Sequence, residues 1–180
     1  MLINAYAQAE EPAADPVFSA SFYAPYEAAL AQGLAILGDA RRAMAQDVLS
    51  FGCRLKSAAS IRGKLLRKHL PQTAASAGAA LRDIAGLRAV LASRSAVYRY
   101  ADLLLGSDAL MLEEIHDYIA APKPSGYRSL HLIARVCVSM PQGVYTVPIE
   151  IQLRTAAMDA WACAEHALIY KPRTQPPSSI

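Results

Sequence analysis

The sequence predicts an α/β (α+β) fold in which helices flank a mixed β-sheet. Three observations carry this reading. Residues 129–139 and 144–154 alternate apolar and polar side chains on either side of a Pro-Gln-Gly turn at 141–143, the pattern of a hairpin. Residues 84–91 form a short apolar run, as a buried strand does. Elsewhere apolar residues recur at helical spacing.

Along the chain, residues 1–18 are rich in Ala, Pro and Glu and read as an irregular, mobile lead-in. From Ala24 to Leu49 a helix is expected, with Leu30, Leu34, Ile36, Leu37, Met44 and Val48 on its apolar side and an interruption near Gly38–Asp39. A strand or loop spans Phe51–Lys56. Ser57 can cap a basic helix that runs to Lys68 and is stopped by Pro71. Residues 71–80 read as a low-complexity connector. Ile84–Leu91 is a strand, Ser95–Leu104 a helix, and Ala109–Ile119 a strand leading into the P-K-P-S-G turn at 122–126. After the hairpin, Thr155–Tyr170 is a helix that the Pro-rich stretch 171–180 cannot continue. There are no internal repeats. Residues 1–180 read as one domain: 1–50 as lead-in and helices, 51–171 as the core, and 172–180 as a tail.

Composition sets limits on the class of protein. Of 180 residues 54% are hydrophobic, 36 of them Ala, enough to bury a core without disulfides or metals. Cys53, Cys137 and Cys163 are odd in number and far apart, which argues against a disulfide scaffold or zinc ribbon and for a reducing compartment. No apolar run approaches the length of a membrane span, and Glu10 and Glu11 fall where a signal peptide needs apolar residues. A cytoplasmic protein with no membrane partner is expected. Charge is unevenly spread: residues 51–100 hold ten Lys or Arg and one acid, Asp83, while the flanking stretches are net acidic. Such a window implies an anionic partner, nucleotide phosphates or a nucleic-acid backbone, unless it is an ordinary solvated helix face.

Four segments can carry chemistry. In P-I-E-I-Q-L-R-T (148–155), alternation puts Glu150, Gln152 and Arg154 on one face, which taken alone is equally the solvent side of a sheet. In K-P-S-G-Y-R-S-L-H (123–131), Tyr127, Ser129 and His131 share a face. There the Ser-Gly turn offers N–H groups to an anion, Lys123 adds charge, and Tyr127 offers a ring for a base, although packing roles would also account for Tyr127 and His131. In L-R-D-I-A-G-L-R (81–88), Asp83 stands before an apolar strand and could join Glu150 in binding Mg²⁺, or form an ion pair with a neighbouring Arg. Asp83 and Arg88 fall on opposite faces of a regular strand, so either a bulge at Ala85–Gly86 or a place before the strand is expected for Asp83. In residues 54–68, Ser60, Lys64, Arg67 and Lys68 recur at helical spacing, making one face basic. That segment lacks the Walker A pattern, His116–Asp117 lacks the further ligands of a metal phosphohydrolase, and no nucleophile elbow is present.

In this order, R-L-K-S…S-I-R-G-K, R-D-I-A-G-L-R, H-D-Y-I-A-A-P-K-P-S-G-Y-R-S-L-H, E-I-Q-L-R-T and A-M-D-A-W-A-C-A-E-H-A-L-I-Y-K resemble the synthetase domain of RelA/SpoT-type alarmone synthetases (GTP pyrophosphokinases), in their small, single-domain form. The resemblance spans roughly residues 50–171. It implies a nucleotidyltransferase-like domain that transfers the β,γ-diphosphate of ATP to the ribose 3′-hydroxyl of GTP or GDP and releases AMP. It implies Asp83 and Glu150 as Mg²⁺ ligands, with Glu150 also the candidate base. Arg54 and Arg88 would sandwich adenine, and Lys56, Ser60, Lys64 and Arg67 would grip the ATP phosphates. Tyr127 would stack on guanine, with Lys123, Ser125, His131, Gln152 and Asp159 around the acceptor. His116 departs from the Lys or Arg often found there, which makes that part of the phosphate grip weaker or pH-dependent. A synthetase without the hydrolase and regulatory domains of the long members is expected, either as a small member or as a domain of a larger protein. A homo-oligomer is among the implied partners, although the Pro-rich stretch after Lys171 leaves no room for the C-terminal helix that joins typical small members into tetramers. A toxin-type relative acting on adenine nucleotides or the tRNA 3′ end is the alternative enzyme, and a non-catalytic nucleotide or RNA sensor is the third class, which Asp83 and Glu150 argue against.

Overall fold

The computed structural model describes residues 17–170. In order the elements are α1 (Ala20–Ala43), β1 (Val48–Leu55), α2 (Ala58–Arg67), α3 (Ala74–Ala80), β2 (Ala85–Leu91), α4 (Arg94–Leu105), β3 (Met111–Asp117), β4 (Leu130–Met140), β5 (Gly143–Thr155) and α5 (Ala156–Tyr170). One sheet has the order β1-β2-β5-β4-β3. β2 and β5 run parallel, while the β1/β2, β4/β5 and β3/β4 ladders are antiparallel, so the sheet is mixed as expected.

The two faces of the sheet have different fates because the strands alternate. Leu87, Ala89 and Leu91 of β2, Leu132, Ala134 and Val136 of β4, and Ile149, Ile151 and Leu153 of β5 are buried. α1 and α4 pack on these strands. The approach of α1 is close: a Cβ on Gly33 would stand 2.3 Å from Leu87 Cδ1, so the smallest residue sits where helix meets sheet. The buried Tyr100 hydroxyl of α4 donates to Leu37 O at 2.6 Å, joining the two helices. The opposite face, carrying the even-numbered residues of β5, is left for polar side chains.

Two sequence expectations are corrected. The helix expected over Ala24–Leu49 with an interruption near Gly38–Asp39 runs unbroken from Ala20 and ends at Ala43, because Val48 already pairs with Leu91 as the first residue of β1. Apolar spacing alone does not separate the end of a helix from the start of a strand. The connector expected at 71–80 holds α3. Thr73 Oγ1 accepts from Ser76 N at 3.1 Å and caps an Ala-rich turn whose Ala77 is fully buried, so alanine's helix propensity decides the segment. The remaining elements lie within a few residues of expectation, and Ser57 caps α2 by accepting from Ser60 N at 3.3 Å. Asp83 precedes β2, whose pairing is regular at Ala85–Gly86, so no bulge is needed there; the one irregularity of the β1/β2 ladder lies at its other end, between Val48 and Ser50. The expectations for residues 1–16 and 171–180 lie outside the described residues.

Candidate active site

Register brings the polar residues together. Across β1/β2, Arg54 pairs with Gly86 and Gly52 with Arg88. Across β2/β5, Gly86 pairs with Glu150 and Arg88 with Gln152, and across β4/β5 Gln152 pairs with His131. Paired residues share a face, so Arg54, Arg88, Glu150, Gln152 and His131 all rise from one side. The glycines leave room for the arginines. Arg88 Nη2 lies 3.2 Å from where a Cβ on Gly52 would stand, and Arg54 Cγ lies 3.5 Å from the corresponding point on Gly86.

At one end stands Asp83. Its Oδ2 takes Lys56 Nζ at 2.8 Å and Lys64 Nζ at 2.7 Å, while its buried Oδ1 has no hydrogen-bond partner among the described residues. Burial pushes the Asp83 pKa up, but the hydrogen bonds and charges of Lys56 and Lys64 outweigh it and hold the carboxyl below its ordinary range. Lys56 is positioned by β1, whose end is fixed by Lys56 N donating to Ile84 O, and Lys64 by the second turn of α2. Ser60 lies in the first turn of α2, bonded to its cap Ser57. Arg67 is exposed in the last turn.

Glu150 comes next. His131 Nδ1 lies 3.0 Å from its Oε1, and Gln152 Nε2 donates to Oε2 at 2.6 Å. Burial again raises the pKa, but the hydrogen bond and charge of His131 and the Gln152 amide outweigh it, so the carboxyl sits below its usual value even though Asp83 is near enough for its negative charge to oppose this. His131 is buried and turned toward Glu150, so it supports the site from beneath.

At the other end the loop after β3 is built by its own hydrogen bonds. Asp117 Oδ1 accepts from Ile119 N and Ala120 N, both at 2.9 Å. Gly126 N donates to Lys123 O at 2.8 Å, and Gly126 has φ +84°, which favours glycine. A Cβ there would also meet the Trp161 ring at 3.4 Å. Lys123 Nζ lies 4.4 Å from the Tyr118 ring centroid and 5.1 Å from that of Tyr127. Exposed Ser125 accepts from Tyr127 N at 3.4 Å. The Tyr127 hydroxyl meets His131 Nε2 at 2.8 Å, and burial raises its pKa. Ser129, expected beside Tyr127, is fully buried and donates to Leu153 O at 3.2 Å, with its hydroxyl also within hydrogen-bonding reach of Tyr127. Asp159, in the first turn of α5, takes Arg88 Nη1 and Arg154 Nη1 on Oδ1, each at 3.1 Å. His116 is held by Glu114 Oε2 at 3.0 Å and stacks on Tyr118 with centroids 5.9 Å apart.

The structure therefore gathers Lys56, Lys64, Asp83, Arg88, His131, Glu150, Gln152, Tyr127 and Asp159 through direct contacts, or in the case of Asp83 and Glu150 through mutual charge. Sequence reasoning did not choose Arg154 or Tyr118. Alternation had put Arg154 beside Glu150 and Gln152, which was the available signal; nothing marked Tyr118. Among the described residues no group of three or more His, Cys, Asp or Glu could by itself hold a metal. Two carboxylates completed by a ligand's phosphate oxygens remain the arrangement that suits Mg²⁺.

Cations around paired carboxylates, beside a turn that presents aromatic rings, have the chemistry of a nucleotide polyphosphate site. Residues 53–175 match the family described as the region found in RelA / SpoT proteins, and the chain belongs to that family. It is 40% identical over 127 residues to the GTP pyrophosphokinase YwaC of Bacillus subtilis, covering 71% of this chain and 60% of the relative. It is 37% identical over 118 residues to the GTP pyrophosphokinase YjbM of the same organism, covering 66% of this chain and 54% of that one. The chain thus spans less than two thirds of the length of these relatives. Among solved structures, small alarmone synthetase 1 from Bacillus subtilis bound to its product pppGpp superposes with a TM-score of 0.78 at 32% identity, covering 88% of this chain and 82% of that chain. A GTP pyrophosphokinase family protein from Streptococcus pneumoniae gives the same TM-score of 0.78 and 32% identity, with 88% and 79% covered.

Proposed function

We propose that the chain is a GTP pyrophosphokinase, which transfers the β,γ-diphosphate of ATP to the ribose 3′-hydroxyl of GTP or GDP. The observation that carries this reading is a pair of part-buried carboxylates close enough to feel each other's charge, one with two lysines on one oxygen and no partner among the described residues on the other. Membership of the family and the likeness to a synthetase holding pppGpp support it.

In this reading Arg54 and Arg88 embrace the adenine over the glycines of β1 and β2. Lys56, Ser60, Lys64 and Arg67 hold the ATP phosphates. Tyr127 stacks on the acceptor base, and Lys123, Ser125, Gln152 and Asp159 surround that nucleotide, with His131 bracing Glu150 and Tyr127. The 3′-oxygen bonds to the β-phosphorus, and the bond from that phosphorus to the α-phosphate's bridging oxygen breaks, its electron pair leaving with AMP. The hydroxyl proton passes toward Glu150. A carboxylate held below its ordinary range is a weak base, so Glu150 acts chiefly by orienting the hydroxyl. Mg²⁺ is the cofactor this reading calls for. Asp83, through its unpartnered Oδ1, and Glu150 would hold it, and it would neutralise charge on the transferring diphosphate. The cytoplasm, which holds both nucleotides, is the compartment.

Incubation with Mg²⁺, labelled ATP and GTP or GDP should give AMP and a guanosine penta- or tetraphosphate resolved by chromatography. Transfer of label to tRNA or an adenine nucleotide, with none to guanine nucleotides, would replace this reading with the toxin-type alternative.

A further inference from the structure

We infer that Arg154 is a positioning residue that locks the acceptor side of the site, an inference that rests on the reading above for what the site accepts. Its guanidinium is buried beside Tyr127, with the carbon between its nitrogens 5.2 Å from the ring centroid. Nη2 donates to the Tyr127 hydroxyl at 2.7 Å and to Gln152 Oε1 at 2.5 Å, and Nη1 donates to Asp159 Oδ1 at 3.1 Å. One planar fork thus touches three of the side chains assigned to the acceptor.

The fork also sets a direction. Arginine has donors and no acceptor, so the Tyr127 oxygen must accept from it. The same phenolic oxygen lies 2.8 Å from His131 Nε2. On its other side the imidazole presents Nδ1 to Glu150 Oε1 at 3.0 Å, and an ionised carboxylate only accepts, so Nδ1 carries a proton there. Arg154 is thus linked through Tyr127 and His131 to the carboxylate that orients the hydroxyl. At its other end, Asp159 Oδ1 also takes Arg88 Nη1 from the donor side. Arg154 Nε is buried without a hydrogen-bond partner among the described residues. An unpaired buried donor is costly, so the fold keeps this group against its own stability, as it does at functional positions.

Lysine keeps the charge but cannot span three acceptors as the fork does. Arg154→Lys should therefore raise the acceptor KM roughly ten- to a hundredfold, the scale of a lost charged hydrogen bond, with the ATP KM within about twofold. The second readout is the His131 Nε2 signal in ¹⁵N spectra of the imidazoles, taken at one pH above the ordinary imidazole range. That signal should move in the same direction in Arg154→Lys and in Tyr127→Phe, as the contact with a fixed Tyr127 hydroxyl is loosened or lost. An unchanged acceptor KM in Arg154→Lys, an equal rise in both KM values, or an Nε2 signal unmoved in Arg154→Lys would overturn the inference. If the wild type transfers nothing to a guanine nucleotide, the proposed function fails, and the Nε2 comparison still decides the role of Arg154.

Discussion

Asp83 is the residue on which local physics and function meet. A part-buried carboxylate with both lysines on one oxygen has spare acceptor capacity on the other, which in the proposed function the cation of a polyphosphate would fill. Asp83→Asn and Glu150→Gln keep the shape and remove the charge. Each should lower turnover at least about a hundredfold, the scale of losing one preorganised electrostatic group. Steady-state rates with circular dichroism as the folding control check this, and wild-type turnover in either variant would remove that residue from the mechanism. Both carboxylates were legible in the sequence because a lone acid in a basic window and an acid on a polar strand face are anomalies of pattern. Arg154 was not chosen because its character lies in what it touches. Alternation put it on the right face but could not tell that it is buried and forked between Tyr127 and Asp159.

At the scale of elements, the segment between β3 and β4 does most to shape the acceptor side. Its start is held by Asp117, whose carboxylate accepts two backbone N–H groups and, on Oδ2, the Tyr98 hydroxyl at 3.0 Å. Burial works against the charged form, but the hydrogen bonds from Ala120 N, Tyr98 and Ile119 N prevail and lower the pKa from 3.8. A carboxyl lowered on folding stabilises the native state above its unfolded pKa, and that contribution is lost as the pH falls through the folded value. Asp117→Asn should therefore destabilise the protein near neutrality but flatten the loss of stability below about pH 3.8, read from denaturant unfolding at stepped pH. Parallel pH curves for variant and wild type would contradict this. The end of the segment depends on Gly126. Alanine there meets both a positive φ and the Trp161 ring, so Gly126→Ala should cost roughly 1–2 kcal/mol and raise the acceptor KM more than the ATP KM. Equal stability and equal KM values would show that the turn tolerates the change. The turn was legible from P-K-P-S-G, and the β4/β5 hairpin from its alternation. The α1/β1 boundary and α3 were not, because strand pairing with β2 and the burial of Ala77 are decided by residues distant in sequence.

Across the whole molecule, folding divides the basic window. Arg82 pairs with Glu113 at 3.2 Å, Arg99 with Asp47 at 2.8 Å, and Arg62 stands over the Phe18 ring at 5.4 Å. Lys56, Lys64 and Arg88 turn instead to the carboxylates of the site. What sequence showed as one cationic block is thus partly spent on the scaffold. Three of the rest converge, Lys56 and Lys64 on Asp83 and Arg88 on Asp159, a grouping suited to a compact polyphosphate more than to a long nucleic-acid backbone. Activity with free nucleotides should accordingly decline gently with added salt, where a tRNA acceptor would impose the steep decline of many released counterions. The acceptor base should be guanine. Asp159 spends Oδ1 on Arg88 and Arg154, yet a carboxylate has acceptor sites beyond those two, and guanine presents N1–H and a 2-amino group as donors. Adenine has a lone pair at N1, which an ionised Asp159 repels, and a site left unpaired in this way discriminates by roughly 1–3 kcal/mol or more. GTP or GDP should therefore outcompete ATP as acceptor in direct competition. Asp159→Ala should erode that preference more than it lowers turnover, and Tyr127→Ala should weaken both bases alike by removing the ring they share. Equal or better use of ATP as acceptor would end the guanine assignment while leaving untouched the proposal that the carboxylate pair and its lysines hold the diphosphate.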